Sequence, residues 1–429
     1  MEKITFDQLQ EELYYESLEN GLDVYILPKK GFNKTYATFT TKYGSIDNHF
    51  LPPEKDEFVK VPDGIAHFLE HKLFEKEDGD VFQQFSKQGA SANAFTSFTR
   101  TAYLFSSTSN VELNLETLID FVQDPYFTEK TVEKEKGIIG QEITMYDDNP
   151  DWRLYFGLIE NMYKNHPVKI DIAGTIESIS HITKDMLYEC YETFYHPSNM
   201  LLFIVGPVDP DQIMSQVRNN QSKKNYKELP EIKRQFEEEP AEAAEKKKVL
   251  EMNVQTSKCL VGIKSSNANQ SGKEMLKNEL SLNVLLDILF GKSSEHYSSL
   301  YNEGLIDDTF SFDYTQEEGF GFAMVGGDTN DPDRLAETLK KMLLDAREKG
   351  AVSQETLDRT KKKKIGAFLR AVNSPEYIAN QFTRYAFNEM DLFDVVPTLE
   401  SITLEDVENA AGNLISEERF TVCQVVPKK

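Results

Sequence analysis

What this chain lacks narrows its possibilities first. Only three cysteines occur in 429 residues. Cys190, Cys259 and Cys423 lie far apart among apolar neighbours, so a disulfide framework is not expected and all three read as reduced core thiols. No apolar run approaches the roughly 18 residues of a membrane-spanning helix, so no membrane insertion is expected. Basic residues are outnumbered, 47 Lys and Arg against 72 Asp and Glu, for a formal charge of −25. Nucleic-acid binding needs a basic footprint and is not expected here, whereas an acidic surface suits solubility and basic peptides alike. The opening Met1–Asp7 has neither a basic region nor an apolar segment, so no secretory signal is expected and the chain is assigned to the cytoplasm. Gly326-Gly327-Asp328-Thr329 has no P-loop lysine after it and reads as a turn.

What is present suffices for packed cores. Hydrophobic residues make up 39% of the chain and aromatics 11%, and the length calls for two or more domains. Leu13–Leu18, a turn at Asn20-Gly21, and Leu22–Leu27 predict a hairpin. Thr35–Tyr43 reads as a further strand and Met200–Gly206 as a buried one, with helices predicted over 112–122, 128–146, 152–163 and 183–195. Thr183 is the expected cap of the last of these. Between 219 and 247 charge and proline replace apolar periodicity. The chain is therefore divided into domains at 1–218 and 248–429, with 219–247 as a charged linker.

The second half reads as a worn copy of the first. Ile182-Thr183 leads through a helix to the strand at Phe203, and Ile402-Thr403 leads through a helix to Thr421–Val425. Thr131 with Glu142 corresponds to Thr356 with Ala367. Lys361–Lys364 reads as a solvated helix face.

The chemistry concentrates in Asp63-Gly64-Ile65-Ala66-His67-Phe68-Leu69-Glu70-His71-Lys72-Leu73-Phe74. At about 100° per residue, His67, Glu70 and His71 share one arc, and Ile65, Phe68, Leu69 and Leu73 lie opposite. Pro62 and Asp63 are the start signals, with Asp63 as the expected cap. Two imidazoles at i and i+4 can aim at one cation, with a carboxylate beside it that need not be a ligand. Such an arrangement suits a zinc hydrolase with a general base. Farther on, Val132, Glu135, Ile139, Glu142 and Tyr146 form one helical stripe. Two carboxylates thus sit in an otherwise apolar face, where an unpaired charge costs several kcal/mol. A third metal ligand is the economical explanation, and spacing alone does not say which glutamate it is.

His67-Phe68-Leu69-Glu70-His71 followed by Glu135 and Glu142 resembles the inverted zinc motif of the pitrilysin/insulinase metallopeptidases. Gly89-Ala90-Ser91-Ala92-Asn93-Ala94-Phe95-Thr96-Ser97 also resembles that family's substrate-pairing strand. The likeness spans the chain and is greatest to half-length bacterial processing-peptidase-like members. It implies an α+β fold of two homologous domains, each a mostly antiparallel sheet covered on one face by helices, with zinc in one only. It also implies one Zn²⁺ per chain held by His67, His71 and Glu142, and Glu70 as general base. Glu135 would serve the reaction by steadying a ligand or the water, and Asn93, Ala94 and Phe95 would seat a peptide substrate. In the copy, the positions of the two histidines read Asp287 and Gly291.

One departure from the family pattern bears on partners. Active members carry an Arg followed seven residues later by a Tyr around a Gly-Leu turn. Here Gly304-Leu305 has no such Arg before it, and Asp307 or Asp308 stands in the Tyr position. The resemblance therefore implies a heterodimer with a homologous chain that supplies Arg and Tyr, with a homodimer as the alternative. A peptide-binding subunit without turnover is the competing function.

Overall fold

The computed structural model describes every residue except Glu54, Asp78, Asn267, Ala268, Lys349 and Lys429. Its contacts group into two units. The first comprises 1–143, 171–236 and 371–387, and the second 144–170, 237–370 and 388–429.

In the first unit, strands β1 (Glu2–Phe6), β2 (Glu11–Ser17), β3 (Asp23–Pro28), β4 (Thr35–Thr41), β5 (Ala90–Thr96), β6 (Thr101–Ser107) and β7 (Met200–Gly206) form one sheet. Their order is β1-β2-β3-β7-β4-β6-β5, antiparallel except where β7 runs parallel to β3. Helices α1 (Ile65–Leu73), α2 (Val111–Val122) and α3 (Glu129–Asp147) belong to this unit, α3 up to Ile143. Tyr103, Phe39 and Leu202 are register partners across β6, β4 and β7 and so share a face. Tyr103 packs edge-on against Phe121 of α2, which places α2 on this face.

In the second unit, β8 (Lys247–Met252), β9 (Ser257–Lys264), β10 (Ser311–Glu317), β11 (Phe320–Thr329) and β12 (Phe420–Pro427) form a sheet in the order β8-β12-β9-β11-β10. Again one pair is parallel, β8 with β12. Strand for strand, β3-β7-β4-β6-β5 and β8-β12-β9-β11-β10 repeat one topology, the expected duplication. Helices α4 (Pro150–Met162), α5 (Gly272–Phe290) and α6 (Gln354–Ala371) accompany the second sheet.

The sequence division at 219–247 differs from these units in two segments. Helix α4 packs on β8, β9 and β12, where Gly262 has no Cβ and lets Leu158 and Met162 approach. Helix α7 (Pro375–Phe387) packs on β4 and β7. Phe382 of α7 meets Tyr25 and Phe203. Phe203 is one residue out of phase with Leu202, so α7 covers the face opposite α2, and β4 and β7 are buried along their whole length. The sequence pattern indicates a helix over 152–163 and gives no reading for 375–387. It does not say which sheet either segment covers.

Three further expectations change. Asp63 does not cap α1. The cap is Gly64, in the left-handed region at φ 88°, and a Cβ there would lie 2.4 Å from the Ala173 carbonyl oxygen. Gly326 and Gly327 lie inside β11 rather than in a turn. Lys361–Lys364 is not simply a solvated face. Lys361 donates to the carbonyls of Glu400 and Ile402, and Lys363 and Lys364 reach the buried carboxylate of Asp287 on α5 at 2.7 and 3.7 Å.

Candidate metal and peptide site

Helix α1 brings His67, Glu70 and His71 to one side because its opposite face is committed to the core, with Phe68, Leu69 and Leu73 fully buried. Helix α3 anchors through Val132, Ile139 and Ile143, also buried. That packing turns Glu135 and Glu142 towards α1. His67 Nε2 lies 3.7 Å from one Glu142 oxygen, and His71 Nε2 lies 3.5 Å from the other. One donor atom from each of His67, His71 and Glu142 falls within 4.8 Å of the other two. Neighbouring ligand atoms of a tetrahedral zinc, at bond lengths near 2.0–2.2 Å, sit about 3.3 Å apart. The two nitrogen–oxygen separations are close to that spacing.

Glu135 meets His71 from behind, its Oε1 3.1 Å from Nδ1. With Nδ1 donating to that carboxylate, the His71 lone pair is left on Nε2, the nitrogen facing Glu142. Burial works against a charged His71, but the Glu135 hydrogen bond and the charges of Glu70, Glu142 and Glu135 outweigh it and raise its pKa. Burial likewise disfavours the Glu135 carboxylate, yet the His71 contact prevails and lowers its pKa. Burial and then the neighbouring His71 push His67 down to about 4. His67 is therefore neutral around pH 7, with a lone pair to give, and its buried Nδ1 finds no hydrogen-bond partner among the described residues. Imidazole nitrogens plus a carboxylate are the donor set zinc favours.

Glu70 is only 8% exposed. Burial pushes its pKa up to about 7 against the opposing Thr96 hydrogen bond. Thr96 Oγ1 donates to Glu70 Oε2 at 2.6 Å. A carboxyl poised near neutrality suits proton transfer in both directions.

Strand β5 is the last strand of its sheet, so one side of its backbone is open to an added strand. Glu70, His71, Glu135, Asn93, Ala94, Phe74, Phe82 and Ile138 line a cleft of about 580 Å³. The register pairs Ala94 with Tyr103 and Thr96 with Thr101, which puts Ala94 and Thr96 on the face towards α1. Asn93 and Phe95 face the other way. Asn93 still reaches the cleft rim, while Phe95 lies under the Arg100 guanidinium at 5.8 Å and is not among the cleft residues. Thr96 is the contact the sequence reading missed. Its only signal was its place two residues after Ala94 on one strand face.

Known families and solved structures match this chain along most of its length. Residues 60–176 match the model of Insulinase (Peptidase family M16), and residues 181–364 match that of the Peptidase M16 inactive domain. The chain is 73% identical to the "Uncharacterized zinc protease YmfH" of Bacillus subtilis (strain 168), over 99% of both chains. It is also similar to the crystal structure of an M16-like peptidase from Alicyclobacillus acidocaldarius, with TM-score 0.94, 41% identity, and 97% and 99% of the two chains covered. A protease structure from Helicobacter pylori, at 20% identity, shares the fold with TM-score 0.81 over 97% of this chain and 100% of that one. The chain belongs to peptidase family M16.

Proposed function

We propose that this protein is a zinc-dependent endopeptidase, or the catalytic subunit of one, acting on short or unfolded peptides. The observation that carries this reading is the convergence of His67, His71 and Glu142 donor atoms within 4.8 Å of one another. Zinc held there supplies Lewis acidity and makes water a competent nucleophile near neutral pH. Glu70 takes the proton from the attacking water and delivers it to the leaving amine. Glu135 holds the His71 ring in the tautomer that presents Nε2. An extended peptide pairs with the open side of β5, with Asn93 and Ala94 at the cleft and Phe95 on the far face. The test is cleavage of a quenched peptide under enzyme excess, with and without a chelator. Chelator-sensitive cleavage that zinc restores is expected, and cleavage indifferent to the chelator would refute the reading.

The reading includes a heterodimer with a homologous chain carrying the Arg and Tyr pair, and residence in the cytoplasm. In this chain Glu303 is engaged by Arg334 at 2.5 Å, and Asp307 accepts from the Thr309 hydroxyl and amide. A carboxylate brought to a scissile carbonyl repels the developing oxyanion, so this loop is a poor substitute for Arg and Tyr. The isolated chain is expected to bind zinc and cleave slowly. Fast cleavage by the zinc-loaded chain alone, as a monomer or homodimer by light scattering, would rule out the heterodimer. Three buried free thiols suit a reducing compartment.

A further inference from the structure

Glu70 has two carboxylate oxygens, and one is already committed. Thr96 Oγ1 donates to Oε2 at 2.6 Å. A hydroxyl–carboxylate contact of that length is a charge-assisted hydrogen bond, stronger and more directional than a neutral one. Thr96 is itself held in place. Its strand pairs with β6 through Thr101, whose hydroxyl lies 3.4 Å from Thr96 Oγ1 and donates to the Tyr43 carbonyl at 2.9 Å. Thr101 and Tyr43 are fully buried. The donor to Glu70 thus stands on the rigid side of the site, not on a loop.

We propose that Thr96 is a positioning residue that fixes the rotamer of Glu70 relative to β5, the strand on which a peptide would lie. With Oε2 tied to the strand, Oε1 is the oxygen left for proton transfer. Base and substrate backbone are then registered by one segment, because Thr96 follows the cleft residues Asn93 and Ala94 directly on β5. A shift of about 1 Å in a catalytic group can cost 10²-fold in rate, so this single hydroxyl is a specific point of failure. The inference rests on the peptidase reading above for its effect on rate, but not for its effect on structure.

Thr96→Val keeps shape and β-branching while removing the donor, and Thr96→Ser keeps the donor. With zinc loaded and enzyme in excess, Thr96→Val is expected to lose roughly 10- to 100-fold in kcat. KM should stay within about twofold and zinc content should be unchanged, while Thr96→Ser recovers most of the rate. A crystal structure of Thr96→Val should show the Glu70 carboxylate turned from its wild-type position. Wild-type kcat in Thr96→Val, a Thr96→Ser protein as slow as Thr96→Val, or loss of zinc in Thr96→Val would each overturn the proposal. So would a Glu70 carboxylate that stays in place without the hydroxyl. If the wild-type protein shows no turnover, the crystal structure alone decides the role of Thr96.

Discussion

The two sheets share a strand order but hold their flanking helices together differently. In the first unit, α1 and α3 face each other across His67, His71, Glu135 and Glu142, and the nitrogen–oxygen gaps to Glu142 are 3.5 and 3.7 Å. In the second, α5 and α6 meet through Asp287, with Lys363 at 2.7 Å and Lys364 at 3.7 Å. One frame converges donors that an added cation can bridge, and the other carries its cations in the chain as lysines. Where Glu142 stands on α3, the aligned residue on α6 is Ala367. The comparison shows that one scaffold can join a helix pair in two ways: through donors that a cation could bridge, or through a buried carboxylate met by lysines of the facing helix.

Breaking the comparison most severely means removing the proposed general base alone. Glu70→Gln should leave zinc bound and lower the cleavage rate by at least about 10²–10⁴, the range of a positioned acid–base group. Rate and metal content measured on one preparation check this, and wild-type cleavage would show the assigned mechanism to be wrong. A smaller loss is expected for Glu135→Gln, which weakens the support of His71. Zinc should be largely retained and the rate should fall roughly 10- to 100-fold. Equal zinc loss in Glu135→Gln and Glu142→Gln would mean that the roles of the two glutamates are misassigned. The mildest effect belongs to the second unit. Asp287→Ala removes the acceptor shared by Lys363, whose side chain is 55% exposed, and Lys364, and should cost about 1–3 kcal/mol in urea denaturation. Zinc content and kcat should not change, and a large drop in either would show that the two helix pairs are not independent.

The candidate cluster was legible because each half of it is local. His67, Glu70 and His71 share a helical arc by spacing alone, and Glu135 with Glu142 interrupts an apolar stripe where bare charge is costly. Spacing left the ligand among the two glutamates open, and the resemblance supplied the assignment that the observed contacts fit. Other features were not legible because they depend on residues remote in sequence. The Thr96 hydroxyl reads as an ordinary strand residue until β5 is placed beside α1. Lys363 and Lys364 read as solvated until Asp287 is found opposite them. Helices 150–162 and 375–387 show amphipathic patterns that name no sheet. Asp63 fits the rules for a helix cap, but the close approach of the Ala173 carbonyl selects a left-handed glycine there instead.

The central claim is that the first unit holds one zinc ion through His67, His71 and Glu142 while the second holds none. The most direct measurement is zinc per chain by inductively coupled plasma mass spectrometry after dialysis against metal-free buffer. Wild type, Glu142→Gln, a His67→Ala/His71→Ala double variant and Asp287→Ala should be compared, each checked as folded by circular dichroism. The account expects close to one equivalent in wild type and Asp287→Ala, reduced occupancy in Glu142→Gln, and essentially none in the double variant. Zinc at the wild-type level in a folded double variant, or its absence from zinc-supplemented wild type, would contradict the account.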